Sequence, residues 1–438
     1  MLFLSIDFGT SAVKAALVNE KAEILAHASE QYDYIMLPGE KSEIDPNQLF
    51  DALFKAVNRL DATERQKVEW LCYDTFSPSP VFLNQEGEMV YQNIITHMDR
   101  RSRAQSKDID RIFTNDGYLN IAGLYPFAGG CSAMTFLWFL KNEPDVLKKT
   151  STIGHLPTLV HHRLTGKRAI DLVNASMMGV YETVGQKGWS EQLINGLGLE
   201  MRWFPEIVNP GVHHGDLKKD MAEKLGVKTG IPVSMGSNDA AVAHLGAGNQ
   251  KAGDSIITAG SSEMITILTD QPKVNPKYYL RNAALPGLWQ VYATTSGGFG
   301  VDWFYREFCK EMGKEEYFAY ISRCLDDPEG AGGVRFSPYL TGDRQSLRKK
   351  TAGWNGLTLG ATRDQMLYAL YEGIQQVLYG TMLLAEENVT LDRNVKITGG
   401  MVSDSYLRFK QKFLPGFDFV QVDDCPIKGN VVLAQKTN

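Results

Sequence analysis

The sequence has no G-x-x-x-x-G-K-[ST] segment and no G-x-G-x-x-G following an apolar run. Neither a P-loop nor a dinucleotide-binding turn is therefore available to hold phosphate. It also has no C-x-x-C pair. Its five cysteines, Cys72, Cys131, Cys309, Cys324 and Cys425, are scattered, which fits reduced thiols in a cytoplasmic protein and offers no metal site. Among the eight histidines, His161-His162 and His213-His214 are adjacent pairs. Neighbours in sequence cannot both face one ion from a helix or strand, so no metal spacing arises there either. The net charge of −6 comes with no long run of Lys or Arg, which argues against nucleic acid or an acidic membrane as partner. No stretch approaches the roughly 18 uninterrupted apolar residues of a membrane span. The apolar opening has no basic leader and is interrupted by Asp7 and Gly9, so it reads as a buried strand and not a signal peptide. Low-complexity segments are missing as well.

What the chain does have is length and ordinary balance. Its 438 residues, 43% hydrophobic and 22% charged, are enough for two or three globular domains with proper cores. The opening LFLSIDFGTSAVKAALV places an apolar strand, Asp7, a turn at Gly9-Thr10-Ser11, and a second strand. Residues 255–268, SIITAGSSEMITIL, repeat that layout around Gly260-Ser261-Ser262. Hairpin tips of Gly and hydroxyl residues bare N–H and O–H donors that grip phosphate oxygens. One such tip in each half suggests two related lobes closing on a nucleotide triphosphate.

Between these hairpins the pattern alternates strands and helices. Asp45-Pro46 is an N-cap and first-turn signal ahead of an apolar face at Leu49, Phe50, Leu53, Phe54, Val57 and Leu60. A strand is expected over 68–73, ending in a polar loop 74–78, with another strand near Val90 and helices around 133–141 and 156–164. The turn-rich stretch 226–237 sets a boundary, giving domains 1–236 and 237–438. Further on, Ser296-Gly297-Gly298-Phe299-Gly300 opens a helix. Thr362-Arg363-Asp364-Gln365 is a capping box heading a long helix. Strand 395–398 lands on Gly399-Gly400, and a last helix follows.

Several residues in this frame suit phosphate chemistry. Asp7, at the end of the strand entering the first turn, suits Mg²⁺ held through waters, because Mg²⁺ gives up water reluctantly; it equally suits a cap on its own turn. Lys14 reads mainly as a solvated strand residue. Asp239 follows strand 231–235 and starts a helix. There it can accept the proton of a substrate hydroxyl attacking a γ-phosphate while also capping the helix. Gly399-Gly400 and Gly298 let backbone approach a nucleotide closely, and Asp302 and Asp404 each begin a helix nearby. His97, Asp99 and Arg101 form a polar loop cluster, the Asp a bidentate acceptor and the Arg a planar donor for a polyhydroxylated ligand, or simply a solvated charged loop.

Taken together, these residues resemble the FGGY family of carbohydrate kinases, within the sugar kinase, actin and Hsp70 superfamily. The likeness runs nearly end to end: IDFGTSAVKAALV, GSNDAAVAHLGAG, TAGSSEM where the family has G-T-S, and SPYLTGDR where it has PYL-x-GER. Its most specific piece is Gly353-Trp354-Asn355-Gly356-Leu357 continued by Gln365-Met366, Ala369 and Tyr371-Glu372.

The resemblance implies an α/β fold of two actin-like, ribonuclease H-like ATPase domains with ATP and Mg²⁺ in the cleft between them. It implies Asp239 as general base, Asp7 as magnesium carboxylate, and Gly9, Thr10 and Ser11 as the first phosphate turn. Gly260, Ser261 and Ser262 would form the second, with Gly298, Asp302, Gly399, Gly400 and Asp404 at nucleotide-contact positions. A sugar, sugar acid or polyol would lie against Phe76, Ser77, His97, Asp99, Arg101 and Asp239. The implied activity is ATP-dependent phosphorylation of a hydroxyl, of the xylulose, gluconate or glycerol kinase type. The partner is a small molecule, with neither nucleic acid nor membrane, and a homodimer stays open.

Departures fall in the expected sugar pocket. Thr75-Phe76-Ser77-Pro78-Ser79 stands where xylulose kinases carry G-Q-M-H-G, His97 replaces the usual Trp, and Thr135 replaces a common Lys. They motivate a rival, a catalytically idle sugar-binding regulatory homologue. A second rival, an actin- or chaperone-like ATPase, shares the hairpins but not the 353–372 signature.

Overall fold

The computed structural model describes residues 1–340, 342, 347 and 350–438. Thr341, Asp343 and Arg344 of the SPYLTGDR segment lie outside them. The chain forms two units: Met1–Gln250 with Leu280–Leu288 and Asp424–Asn438, and Lys251–Tyr279 with Trp289–Asp423. Residues 237–250 and the C-terminal helix, assigned by the sequence boundary to the second domain, thus count with the first unit.

In the first unit a mixed sheet runs in the order His213–Asp216, Pro232–Ser234, Trp70–Thr75, Leu2–Phe8, Ala12–Asn19, Ile24–Gln31. Leu2–Phe8 pairs antiparallel with Ala12–Asn19 and parallel with Trp70–Thr75. Its residues alternate between two cores, as strand geometry requires. Leu4 and Ile6, with Val13, Ala15 and Leu17, face the helix Pro46–Asn58 through Leu49, Leu53 and Val57. Phe3, Ala16, Val18 and Cys72 face the helix Cys425–Thr437 through Ile427, Val431 and Ala434. Covered on both sides, these strands are apolar almost throughout. The helix at 46 starts as its cap predicts, with the Asp45 carboxylate accepting from Asn47 N at 2.8 Å.

The second unit repeats the plan. Trp289–Thr295, Glu263–Thr269, Ser255–Ala259, Asn394–Thr398 and Asp418–Gln421 neighbour one another in that order. Ser255–Ala259 pairs antiparallel with Glu263–Thr269 and parallel with Asn394–Thr398. The helix Arg363–Glu386 opens with the expected capping box, Thr362 and Gln365 bonding reciprocally. The C-terminal stretch holds two helices, Asp404–Phe413 and Cys425–Thr437, separated by Asp418–Gln421, where one helix was expected. No strand covers Val90; its N–H bonds to the Phe82 carbonyl, and the next strand is Ile94–Ile95. Among the described residues no helix is long and apolar enough to cross a membrane, and all five cysteines are buried.

Candidate active site

In the first unit the strand Leu2–Phe8 delivers Asp7 just short of the turn at Gly9, Thr10 and Ser11. Asp7 is 3% exposed, whereas Thr10 and Ser11 face solvent. Tyr32 braces the turn from behind, its hydroxyl donating to the Gly9 carbonyl and its N–H to Ser11 O. Register then decides what surrounds Asp7. Lys14 lies directly opposite on the hairpin and Asp74 directly opposite on the parallel strand. Lys14 Nζ reaches Asp7 Oδ2 at 3.3 Å, and Asp7 is the main reason the Lys14 ammonium titrates higher than usual. Lys14 is thus a partner of the site and not merely a solvated strand residue.

Asp74 was expected in a polar loop, but the strand runs on to Thr75 and buries it completely. Burial first, then the negative charges of Asp7 and Asp239, push its carboxyl well above the usual range. Asn430 Nδ2 donates to its Oδ2 at 2.5 Å. Asp7 Oδ1 and Asp74 Oδ1 are both buried without a hydrogen-bond partner among the described residues.

Asp239 enters from the far side of the same strand. Ser237 and Asn238 pair with Asp74 and Thr75, and Asp239 opens the helix Asp239–Gly246. That helix is locked in place by backbone contact with Cys425–Thr437. A Cβ on Gly246 would sit 1.9 Å from the Cys425 carbonyl, and one on Gly429 2.0 Å from that of Val242. Asp239 Oδ1 accepts from Ala240 N at 2.7 Å and Asn238 Nδ2 at 2.8 Å; among the described residues Oδ2 has no such donor. Desolvation, reinforced by Asp7 and partly offset by Ala240 N–H, Arg281 and Lys14, raises this carboxyl to about 7.

The expected sugar-side residues divide. Phe76 follows the strand, its N–H bonded to Phe8 O at 2.9 Å, and its ring meets His97 edge-on at 6.4 Å. Phe76 is itself buried. Ser77 starts a chain that the sequence reading missed. Its hydroxyl donates to Asn174 Oδ1, Asn174 Nδ2 donates to Asp171 at 2.6 Å, and Ser237 Oγ donates to Asp171 at 2.9 Å. The loop after Thr75 is thereby tied to the segment just before Asp239.

Asp99 and Arg101, expected to face a substrate, are sealed instead. Asp99 accepts from Ser42 N and takes Arg101 bidentately at 2.8–3.0 Å. Arg101 also pairs with Glu43 and accepts cover from Tyr91 and Trp138. Their donors and acceptors are engaged with one another and with Ser42, Glu43 and Tyr91, so they brace the loop.

In the second unit, Gly260, Ser261 and Ser262 form the matching turn, with Ser261 exposed. Gly298 N and Phe299 N donate to the carbonyls of Gly260 and Ser261, each at 2.8 Å, so the helix Gly297–Phe308 grips the turn through its first residues. On the other side Gly399, at φ +114°, lies so near that a Cβ there would be 2.5 Å from Ala259 O. Gly400 faces open space. Asp302 does not begin its helix but is exposed in the second turn of Gly297–Phe308, whereas Asp404 is exposed at the first position of Asp404–Phe413, a helix capped by Ser403 Oγ accepting from Tyr406 N at 3.3 Å. Among the described residues no three His, Cys, Asp or Glu side chains form a metal cage.

Comparison with known proteins gives a single answer. Residues 2–246 match the model of the FGGY family of carbohydrate kinases, N-terminal domain. The chain is 26% identical over 420 residues to the xylulose kinase of Bacillus subtilis, covering 93% of this chain and 82% of that protein. It is 25% identical to the L-fuculokinase of Salmonella typhi, covering 88% and 81%. In fold it superposes on the gluconate kinase of Lactobacillus acidophilus with a TM-score of 0.89 at 21% identity, covering 100% and 89%. More than half of the chain lies within that family model and its relatives run nearly end to end with it: the chain belongs to the FGGY family of carbohydrate kinases.

Proposed function

We propose that this kinase transfers the γ-phosphoryl group of ATP to a hydroxyl of a sugar, sugar acid or polyol, in the manner of a xylulose kinase, with Asp239 as general base. The observation that carries this reading is the Asp239 carboxyl. It is held near neutrality by burial and by Asp7, and its Oδ2 is left without a hydrogen-bond donor among the described residues. A base is most effective when its pKa lies close to the working pH. Asp239 Oδ2 takes the proton as the hydroxyl oxygen attacks the γ-phosphorus, and ADP leaves with the bridging oxygen.

The exposed Thr10 and Ser11 of one turn, and Ser261 and Ser262 of the other, offer N–H and O–H donors to phosphate oxygens. The donor set at Asp7 fits a divalent cation, since Asp7 Oδ1 is a buried carboxylate oxygen with no hydrogen-bond partner among the described residues. With few protein ligands at hand, Mg²⁺ would keep mostly water there. When bound it would neutralise charge on the transferred phosphoryl group.

Phe76, Ser77 and His97 are the residues read as lining the acceptor pocket, and their departure from the xylulose kinase pattern leaves the acceptor to be found by experiment. A screen of ketopentoses, sugar acids and polyols for acceptor-dependent ADP release tests the reading. One acceptor class should stand out. Acceptor binding without ADP release in every case would favour the idle regulatory homologue, and ATP hydrolysis without any acceptor would favour an ATPase of the actin or chaperone kind.

A further inference from the structure

Directly beneath the Ser261-Ser262 tip lies a charged group that the mechanism above does not use. Glu263 is the first residue of its strand, in register with Ala259, and is 0% exposed. Its Oε1 takes Lys410 Nζ at 2.7 Å. Its Oε2 accepts from Tyr406 Oη at 2.5 Å and Gln375 Nε2 at 3.4 Å. Lys410 Nζ also donates to Gln375 Oε1 at 2.5 Å, and Gln375 Nε2 to Tyr406 Oη at 3.0 Å. Lys410 and Gln375 are likewise 0% exposed and Tyr406 1%.

A buried ion pair is a poor device for stability alone, because apolar residues of similar volume do as well or better. What distinguishes this one is where its ends are attached. Glu263 is joined to the phosphate turn. Tyr406 and Lys410 sit on the helix Asp404–Phe413, which follows Gly399-Gly400 and carries Asp404 at its start. Gln375 comes from the long helix Arg363–Glu386. The network therefore links the turn that would hold phosphates to the glycine pair and helix that would meet the nucleoside. Charge adds a second constraint. A carboxylate next to Ser262 would repel a polyphosphate, and Lys410 cancels it at source.

We propose that Glu263 and Lys410 are positioning residues for the nucleotide. Paired, they hold the second phosphate turn in fixed relation to the 399–404 segment and keep the ground beneath it electrically neutral. This rests on the assignment of 260–262 and 399–404 to nucleotide binding, so the test begins with ADP binding to the unaltered full-length protein by calorimetry. Failure to bind ADP would overturn that assignment itself.

Given binding, Lys410→Met, which leaves the carboxylate unpaired, should weaken ADP and raise the KM for ATP by about 100-fold. Glu263→Gln with Lys410→Met, which removes both charges, should recover part of that loss yet stay roughly tenfold weaker than the original. The KM for the acceptor should hold steady throughout. Tyr406→Phe, which deletes a single hydroxyl and threatens folding least, should weaken ADP about threefold to tenfold. Unchanged ADP affinity in Tyr406→Phe and in the double variant would overturn the proposal. So would equal losses for ADP and acceptor that track the melting temperature, since these would mark a purely structural role.

Discussion

The two hairpins share one topology and differ in charge. In each, a strand enters the turn, returns antiparallel, and is flanked on its other side by a parallel strand. Around Asp7 the register partners are Lys14 and Asp74. The matching position in the second hairpin is Thr258, whose partners are Met264 and Thr398. Three ionisable groups in the first unit thus correspond in position to three neutral side chains in the second. Where the second unit does use charge, at Glu263, it is buried and neutralised by Lys410. Under the proposed function the same backbone device would serve two ends: the first hairpin would arrange proton and metal chemistry, and the second would hold a ligand without reacting with it.

The largest test of that contrast is Asp239→Asn, expected to lower kcat at least ~100-fold, the usual worth of a positioned base. A wild-type rate of acceptor-dependent ADP release in this variant would remove the chemistry from the first unit.

Next come the glycines of the second unit. Gly399→Ala forces a Cβ against Ala259 O at positive φ and should destabilise the protein by about 1–3 kcal/mol, read by urea unfolding. Gly400→Ala meets nothing and should leave the midpoint alone while weakening ADP. Equal effects of the two on stability would show that the second turn is not held by close backbone contact.

A third test is the pH profile. With Asp239 raised to about 7, kcat/KM should fall about tenfold per unit below that pH as the base is protonated. Lys14 favours the charged form of Asp239, so Lys14→Met should move this limb to higher pH; a limb that stays put would separate Lys14 from the base.

The smallest effect is on stability. A carboxyl whose folded pKa is raised favours folding while protonated, below its ordinary range near 4, and that contribution is lost as the pH climbs through about 7. Asp239→Asn escapes the loss, so its melting temperature should exceed that of the wild type at pH 8 and the gap should shrink towards pH 5. A constant gap would mean that Asp239 is not the group responsible.

Much of this arrangement was legible in the sequence because it lies in local patterns. Both hairpins, the Asp45 and Thr362 caps, and the turn before Asp239 rest on residues within a few positions of one another. Missed features depend on register or on distant segments. Asp74 looked like a loop residue because a polar side chain ended an apolar run, yet pairing with Leu2–Phe8 carries the strand through Thr75 and sets Asp74 beside Asp7. Asp99 and Arg101 carried the right functional groups for a sugar, but Glu43 and Ser42, more than 50 positions away, consume them. The partners Asn430 for Asp74 and Lys410 for Glu263 come from 356 and 147 positions along the chain, where no sequence period connects them.

The helix Cys425–Thr437 has a consequence for how the protein is made. It covers one face of the opening strands, donates from Asn430 to Asp74, and receives the Ser5 hydroxyl at the Ile427 carbonyl, 2.8 Å away. A ribosome releases Asp74 long before Asn430, so the nascent first unit must wait, one apolar face uncovered, while the whole second unit is translated. Residues 2–246 expressed by themselves lack this helix and Leu280–Leu288 and should accordingly behave as an unfinished intermediate, which the helix supplied as a separate peptide should stabilise.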